Sequence, residues 1–236
     1  MLPENHPHLS IVIPAFNEEM RLPATLQTLA HFFVGRSAEI LIVVEKSTDA
    51  TLAVAESFAK LHPQFVVLAN DVQRGKGYAV KRGMLAARGE LVFFMDADLS
   101  VPLPAVEMFV AEFQAQPEVD ILVGNRQHAE SDIVKDQGWL RRSMGQTFNH
   151  LVRLMSRIPL RDTQCGFKAF RREVARDLFS AQTIDGFAFD VEILLLAKRR
   201  RYKMADLPVE WHNSIASKVH IVHDSLQMLW DIWRLK

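Results

Sequence analysis

The sequence predicts an α/β protein built on a single, mostly parallel, doubly wound sheet. Short apolar runs alternate with helical patterns along the first half of the chain, which is typical of parallel strands joined by crossover helices. Residues 91–95, Leu-Val-Phe-Phe-Met, are five consecutive apolar residues. Such a run is too short for an ordinary helix and predicts a strand covered on both faces. The 236 residues, 49% of them hydrophobic, suffice for one large domain.

Proline and small polar residues mark where these elements begin and end. Pro14 stops the first apolar run, the small polar residues at 47–49 can cap the second helix, and Pro104 starts a helix after the 91–95 strand. The expected elements are, in chain order, a strand at 9–14, a helix at 22–33, a strand at 39–44, a helix to about 61, a strand at 65–68, a helix from 77 to 89, the strand at 91–95, a helix from 104 to about 114 and a strand at 119–124.

The second half of the chain has fewer regular patterns. The stretch 127–137 is polar and without periodicity, which predicts a functional or mobile loop, and a helix with one apolar face follows over about 144–155. Residues 219–236 carry an amphipathic helical pattern with two apolar stripes. We therefore expect a main domain over 1–218 and a C-terminal amphipathic helix over 219–236.

Composition and charge exclude several classes of protein. The formal net charge is zero, whereas a general nucleic-acid binder needs a basic balance to neutralise phosphates. The single cysteine, Cys165, excludes an internal disulfide and a multi-cysteine zinc site, and it fits a reducing compartment. The first residues lack the features of a signal peptide, and no run reaches the roughly 18 apolar residues of a membrane span. A cytoplasmic location is expected.

Two acids follow the 91–95 strand directly. Side chains alternate along a strand, so Asp96 and Asp98 are expected to point the same way while Ala97 leaves space between them. Ligands of open α/β sheets collect at the carboxyl ends of strands. The pair can hold Mg²⁺ or Mn²⁺ against a phosphorylated substrate, serve as a glycosidase acid and base about 6 to 7 Å apart, or be solvated acids that cap the next helix.

Residues 75–77, Gly-Lys-Gly, predict a second ligand-binding element. A dinucleotide-binding loop is not favoured, because Val80 stands where the third glycine of Gly-x-Gly-x-x-Gly belongs. The preferred interpretation is a loop in which glycine lets the backbone approach a ligand while Lys76 supplies charge to it. A helix start with a solvated lysine is the alternative.

Three arginines are candidates for binding an anion. Arg126 comes directly after the strand at 119–124, so it too lies at a strand end. Arg141 and Arg142 lie in the first turn of a predicted helix, where basic residues oppose the helix dipole. Such residues are expected to have another partner, most simply an anion. A solvated arginine pair is the alternative.

Several segments match a known family in residue type, order and spacing. They resemble the polyprenyl-phosphate glycosyltransferases of glycosyltransferase family 2, particularly the dolichyl-phosphate β-glucosyltransferases, to which the dolichyl-phosphate mannose synthases are related. The likeness covers nearly the whole chain. Its strongest segments are Asp162-Thr163-Gln164-Cys165-Gly166-Phe167-Lys168, Phe189-Asp190-Val191-Glu192 and Leu207-Pro208-Val209-Glu210-Trp211, with further matches at 14–18, 75–77, 96–98 and 124–126.

The resemblance implies a GT-A nucleotide-diphospho-sugar fold, a divalent metal, Mg²⁺ or Mn²⁺, and inverting transfer of one sugar from a nucleotide sugar to a lipid phosphate. Two segments depart from the family pattern: Val44-Glu45-Lys46-Ser47 replaces Asp-Asp-Gly-Ser, and Ala216-Ser217-Lys218 replaces Gly-Ser-Lys. The first departure bears on the base or the donor, because Glu45 is longer than aspartate and Lys46 adds a charge. The nucleotide-sugar contacts that the resemblance implies, taken with Lys76 and Ala97, are Pro14, Phe16, Glu18, Val43, Glu45, Asp96 and Asp98. The implied metal site consists of Asp96, Asp98 and Ser100. Arg126 is an implied phosphate contact.

The acceptor determines which residues the chemistry needs. A lipid phosphate, with a second pKa near ~6, is mostly dianionic at pH 7 and needs cations rather than a base. A hydroxyl acceptor would need a base, for which Asp190 is the candidate. A metal ion on Asp98 would neutralise the departing nucleoside diphosphate. Asp190 and Glu192 could also orient arginines, or be acids that favour a helix start. The candidate catalytic residues are thus Asp98, Arg126 and Asp190, and the candidates for the acceptor phosphate are Arg126, Arg141, Arg142 and Lys218.

The donor and the route to a lipid are expectations of the same kind. UDP-glucose is the first expectation, because Gly-Lys-Gly is more like the glucosyl branch, and GDP-mannose is the second; a family-2 transferase with a hydroxyl acceptor and a binding-only protein are the alternatives. Trp230 and Trp233 in the C-terminal helix suit a membrane interface. Weak peripheral attachment to the cytoplasmic membrane face is expected, helped by the basic cluster at 198–201 if it lies on the same side. A homodimer through this helix, or its burial against the core, is the rival interpretation.

Overall fold

The computed structural model describes residues 7–126 and 158–212, together with positions 152, 228, 230, 231 and 234. All nine elements expected before residue 125 are present, with ends that differ from the expectation by a few residues. In chain order the described elements are β1 (Leu9–Ala15), α1 (Leu22–Phe32), β2 (Ala38–Val44), α2 (Thr51–Ala59), β3 (Phe65–Ala69), α3 (Lys76–Ala86), β4 (Leu91–Met95), α4 (Pro104–Ala115), β5 (Ile121–Asn125), β6 (Phe167–Arg171), α5 (Arg172–Ala181), α6 (Phe189–Arg199) and β7 (Met204–Pro208).

The seven strands form one sheet in the order β3-β2-β1-β4-β6-β5-β7. The expectation of a mostly parallel sheet is confirmed, but β6 lies antiparallel between β4 and β5. Because of this direction, the start of β6 rather than its end lies at the carboxyl edge of the sheet, where Phe167 pairs with Met95. The residues just before β6 therefore reach the same edge as the residues that follow β1, β2, β4 and β5.

The core is centred on β4, all five residues of which are buried. Phe93 packs near Phe109 and Phe167, while Phe94 packs near Phe170 and Phe189 on the other face. Aromatic contacts on both faces confirm a strand covered on both sides. The central strand is thereby fixed, and so is the point at which the two acids leave it.

Several predicted features lie outside the described residues. These are the 127–137 loop, most of the 144–155 helix, and residues Arg141, Arg142 and Lys218. In the predicted C-terminal helix, Met228, Trp230, Asp231 and Arg234 are helical, and Trp230 is 55% exposed. Within the described part of the chain, no helix is long and apolar enough to cross a bilayer.

The basic cluster at 198–201 spans the end of α6 and the start of its connection to β7. Met204, which opens β7, pairs with Ile121 at the start of β5, so this connection is at the amino edge of the sheet. The cluster is exposed, and it lies at the edge opposite the two acids that follow β4. Its predicted contribution to membrane attachment depends on its lying on the same side as the C-terminal helix, and stays a prediction.

Candidate active site

The acidic turn, residues 96–100, follows β4 and is the centre of the site. Its backbone closes on itself: the Leu99 amide donates to the Asp96 carbonyl at 3.1 Å, and the Ser100 amide donates to Asp98 Oδ1 at 3.0 Å. Leu99 lies in the left-handed region with φ 49°, a conformation that costs an ordinary residue roughly 1–2 kcal/mol. Surrounding contacts must hold the turn for a leucine to keep it.

Two elements outside the acidic turn hold it in place. Thr25 of α1 is buried and donates its hydroxyl to the Ala97 carbonyl at 2.6 Å. Gly166 lies against Asp96 so closely that a Cβ there would overlap the carboxylate. Neither residue was a predicted site residue, because a threonine on the buried face of a helix gives no sign of a partner 72 positions away.

Lys76 reaches the acidic turn from the first turn of α3. Its Nζ lies 2.6 Å from Asp96 Oδ1, and the two side chains are 22% and 38% exposed. Burial alone would lower the pKa of Lys76, but the carboxylates of Asp96, Asp190 and Asp98 outweigh it and hold that pKa above its ordinary value. The site thus contains a fixed ammonium ion beside its carboxylates.

Gly75 and Gly77 flank this lysine and make room for the chain's own backbone. A Cβ on Gly75 would lie 2.6 Å from the Asp185 carbonyl oxygen, and one on Gly77 would lie 2.7 Å from that of Ile184. Gly75 also has φ 125°, which only glycine adopts readily. The space beside both glycines is filled by the segment 184–186, so packing of the chain alone already requires glycine at both positions. The approach of a ligand to the backbone of this loop stays a prediction.

The acidic turn has donors that suit a divalent cation. The carboxylates of Asp96 and Asp98 leave the same strand end and are partly exposed. Mg²⁺ usually takes one or two protein carboxylates and completes its shell with water and phosphate oxygens. Among the described residues, no group of three or more His, Cys, Asp or Glu side chains could hold an ion. The donor set fits an ion shared with a bound phosphate, and it does not fit a closed structural site.

Arg126 is oriented at the end of β5 by a buried acid. Its Nε and Nη2 donate to the two carboxylate oxygens of Asp162 at 2.7 and 3.0 Å. Burial alone would lower the pKa of Arg126 and raise that of Asp162, but the pairing outweighs it, so the pKa of Arg126 is raised and that of Asp162 is lowered. Arg126 is permanently charged, and its Nη1 group remains outside this fork.

Asp190, the candidate base, is bound to a buried lysine. Lys168 Nζ lies 2.5 Å from Asp190 Oδ1 and donates to the Cys165 carbonyl at 2.7 Å; the Lys168 side chain is fully buried and that of Asp190 is 8% exposed. Glu192 accepts hydrogen bonds from the backbone of Thr183 and Ile184. The interpretation that these two acids orient arginines is therefore wrong for Arg126, which Asp162 orients instead.

Cys165 lies beside this pair as a neutral thiol. It is fully buried, and burial raises its pKa to about 12. A thiol that keeps its proton at neutral pH is a poor nucleophile and a poor metal ligand. Cys165 is thus part of the packing below the site.

The residues predicted to contact the nucleotide meet at the ends of β1 and β2. Pro14 and Val43 are paired in the sheet register, and Phe16, Glu18 and Glu45 follow on the same edge. The loops after the two strands are joined by hydrogen bonds. These join the Asn17 amide to Ser47 Oγ at 3.0 Å, the Glu18 amide to Thr51 Oγ1 at 2.7 Å, and the Glu19 amide to Asp49 Oδ2 at 3.2 Å.

Comparison with solved structures shows that the chain has the GT-A fold. Glucosyl-3-phosphoglycerate synthase of Mycobacterium tuberculosis, in complex with phosphoglyceric acid, has a TM-score of 0.73 at 18% identity, covering 97% of this chain and 80% of that one. The same synthase with Mn²⁺, UDP-glucose and phosphoglyceric acid gives 0.68 at 18% identity, covering 97% and 79%. At this identity the likeness is one of fold.

Sequence comparison makes the assignment more specific. The family described as Glycosyl transferase family 2 matches residues 10–179, and the chain belongs to that family. A dolichyl-phosphate β-glucosyltransferase of Drosophila melanogaster is 38% identical over 96% of this chain and 74% of its own length. The human enzyme of the same name is 32% identical over 93% and 72%. The protein is therefore a glycosyltransferase, as the motifs predicted.

Proposed function

We propose that the protein transfers one glucose from UDP-glucose to a polyprenyl phosphate of the dolichyl type, with inversion at the anomeric carbon and with Mg²⁺ or Mn²⁺ at the acidic turn. The names of its relatives, similar over nearly the whole chain, support glucose as the sugar and a lipid phosphate as the acceptor. A synthase of the same fold has been crystallised with Mn²⁺ and UDP-glucose.

One observation favours a phosphate acceptor over a hydroxyl acceptor. Asp190, the candidate base, already accepts a hydrogen bond from the buried ammonium of Lys168 at 2.5 Å. Turning this carboxylate toward an acceptor hydroxyl would leave the buried lysine without its counter-ion, which is costly. A phosphate acceptor removes the need for a base, since it is mostly dianionic at neutral pH.

On the donor side, the ends of β1 and β2 hold the nucleotide and the acidic turn holds the diphosphate. Pro14, Phe16 and Glu18, which are partly exposed, line the first region, and Val43 and Glu45 lie buried at the same strand ends. In the second, Asp96, Asp98 and Ser100 would hold the divalent ion, and Lys76 adds a positive charge close to Asp96. The ion supplies charge neutralisation for the departing diphosphate.

On the acceptor side, Arg126 is held ready by Asp162. The edge of the guanidinium that Asp162 does not use can donate to the lipid phosphate. A phosphate oxygen attacks the anomeric carbon opposite the bond to UDP; the new C–O bond forms as the old one breaks, and the electron pair leaves with UDP. Arg141, Arg142 and Lys218 are proposed to hold the same phosphate.

The lipid acceptor implies contact with a membrane surface, and we assign that contact to the C-terminal helix. Trp230 is helical and 55% exposed, as an interfacial tryptophan would be. The basic cluster at 198–201 lies at the opposite edge of the sheet from the acidic turn, so it is not included. A homodimer through the same helix is the competing interpretation.

Glucose transfer to the lipid tests the proposal directly. The full chain is incubated with radiolabelled UDP-glucose, dolichyl phosphate in detergent and Mg²⁺, and lipid-extractable label is measured. Label is expected to require both the ion and the phosphate, so EDTA and free dolichol each serve as controls. The product is expected to be sensitive to a β-glucosidase.

Other outcomes would reject particular parts of the proposal. Transfer to free dolichol would restore the hydroxyl acceptor and Asp190 as its base. Faster transfer from GDP-mannose would replace the donor, and label that persists at full strength in EDTA would remove the metal ion from the mechanism.

A further inference from the structure

Glu45, at the residue where this chain departs from its family, is buried beneath the loop that leads into α3. It is 3% exposed. Its Oε2 accepts the backbone amides of Arg74 at 2.6 Å and Gly75 at 3.2 Å. Its Oε1 accepts a hydrogen bond from the Asn70 side-chain amide. All three donors belong to the chain itself, so both oxygens of this carboxylate are engaged before any ligand binds.

The orientation of Asn70 is fixed from the far side. Arg82 Nη1 donates to the Asn70 side-chain oxygen and to the Ala69 carbonyl, the latter at 2.6 Å. With its oxygen held by an arginine, Asn70 must present its NH₂ group to Glu45. Arg82 thus donates to Asn70, and Asn70 donates to Glu45. Residue 45 must therefore be a hydrogen-bond acceptor.

The two amides that Glu45 holds come immediately before Lys76. Gly75 has φ 125°, and the next residue places its ammonium 2.6 Å from Asp96. The other side of this loop is fixed as well, because the Tyr78 amide donates to the Asp185 carbonyl at 3.1 Å. Glu45 therefore fixes the distance between this loop and the end of β2. Because the loop leads directly into Lys76, the same contact constrains where the Lys76 ammonium lies at the acidic turn.

We infer that Glu45 is a positioning residue for the diphosphate site and does not read the nucleotide base. It fixes the backbone of residues 74–75 and so holds Lys76 where the diphosphate of the donor binds. The inference rests on the proposed function, since it concerns the donor of that reaction. A shorter aspartate at this position would not reach both amides, whereas glutamate does.

Nucleotide preference separates positioning from base reading. Affinities for UDP and GDP are measured by calorimetry with Mg²⁺ for the wild type, Glu45→Asp and Glu45→Gln. If Glu45 acts through Lys76, both nucleotides are weakened by the same factor, about tenfold, because both carry the same diphosphate. A change in the ratio of the two affinities would mean that Glu45 contacts the base, and would overturn the inference.

A double-mutant cycle with Lys76→Met provides the second measurement. Once the ammonium is gone, its position no longer matters, so Glu45→Asp is expected to weaken UDP by less than twofold in that background. If the double variant instead loses UDP affinity by the product of the two single-variant factors, Glu45 and Lys76 act independently. That result would also overturn the inference.

Glu39 offers a matched control at the other end of β2. It is buried to a similar extent, at 5% exposed, and likewise accepts a backbone amide, that of Arg88 at 2.7 Å. Glu39→Asp is expected to lower the melting temperature while the folded protein binds UDP as the wild type does. If the Glu45 variants behave in the same way, Glu45 has only a structural role and the inference fails.

The wild-type measurement distinguishes this failure from failure of the proposed function. A wild-type protein that binds neither UDP nor GDP would reject the proposed function, and the inference with it. A wild type that binds UDP, with Glu45 variants that bind it equally well, would reject the inference alone.

Discussion

The ammonium nitrogen of Lys76 lies 2.6 Å from a carboxylate oxygen of Asp96, joining the first turn of α3 to the turn after β4. The pair places a resident cation at the carboxylate that a divalent ion is proposed to share. Like charges compete for one carboxylate, so the lysine and the ion are coupled through Asp96. Removing the Lys76 charge should therefore change the affinity of the site for a divalent ion.

Replacing Lys76 by methionine is expected to tighten Mn²⁺ binding in the absence of nucleotide, by roughly threefold to tenfold, because a competing charge on a partly exposed pair is removed. Sugar transfer should nevertheless slow, since the ammonium is proposed to face the diphosphate. Electron paramagnetic resonance of free Mn²⁺ measures the affinity. Lys76→Arg keeps the charge and serves as control; equal affinity in all three proteins would contradict the coupling.

Asp98→Asn is expected to reduce turnover about 100-fold or more, because a neutral amide is a weaker ligand for the divalent ion that also binds the diphosphate. The fold should survive, since the carboxylate is partly exposed and its described hydrogen bond is to the Ser100 amide. Turnover at saturating Mg²⁺ and circular dichroism are the measurements. Glu118→Gln, a neutralised acid exposed between α4 and β5, is the control. Most of the activity retained in Asp98→Asn would remove the metal role.

Arg126→Ala is expected to raise KM for the lipid phosphate or lower kcat, while UDP affinity changes little, because the guanidinium is assigned to the acceptor. Arg126→Lys keeps the charge but loses the planar fork, so an intermediate defect is expected. Initial rates at varied acceptor concentration measure KM and kcat for the lipid phosphate, and calorimetry measures the affinity for UDP. A defect confined to UDP binding would move Arg126 to the donor side.

The Asp162–Arg126 pair should also make stability depend on pH. Arg126 holds the pKa of Asp162 below its ordinary value of 3.8, so the pair contributes stability fully above that value and loses it as the pH falls through the folded-state pKa. Asp162→Asn is expected to lose about 3 kcal/mol at pH 7. Melting temperatures from pH 3 to pH 7 measure this, and the difference from wild type should shrink below about pH 4. A difference that stays constant over this range would contradict the pairing.

Vesicle co-sedimentation tests the assignment of the C-terminal helix. The Trp230→Ser, Trp233→Ser double variant is expected to sediment less with anionic vesicles than the wild type, because interfacial tryptophans contribute to membrane binding. Light scattering after gel filtration records the oligomeric state in parallel. Equal sedimentation, together with dissociation of an oligomer in the variant, would favour the dimer.

Local patterns in the sequence were sufficient for most of the fold. The apolar run at 91–95, the proline-bounded runs and the helical periods all became the expected elements. The strand β6 was not located by pattern, because Phe-Lys-Ala-Phe-Arg contains a lysine that is fully buried against Asp190. A buried ion pair cannot be recognised from the hydrophobic pattern of one of its partners.

The site divides in the same way. The sequence predicted that β4 is followed by Asp96 and Asp98 and that β5 is followed by Arg126. Their meeting at the carboxyl edge of the sheet could therefore be predicted. Asp162 lies 36 positions from Arg126, and the contact could be found only once the chain was folded. The packing role of the glycines beside Lys76 could not be foreseen for the same reason, since the segment 184–186 that fills their space lies about a hundred residues further on.

The antiparallel direction of β6 has a consequence for how the protein is made. β6 pairs with both β4 and β5, so the edge of β4 that faces it stays open on the ribosome until residue 171 has emerged. At about 5–20 residues per second, the 76 residues from Met95 to Arg171 take roughly 4–15 seconds to synthesise. Throughout that interval an apolar strand with an unpaired edge is exposed to other nascent chains.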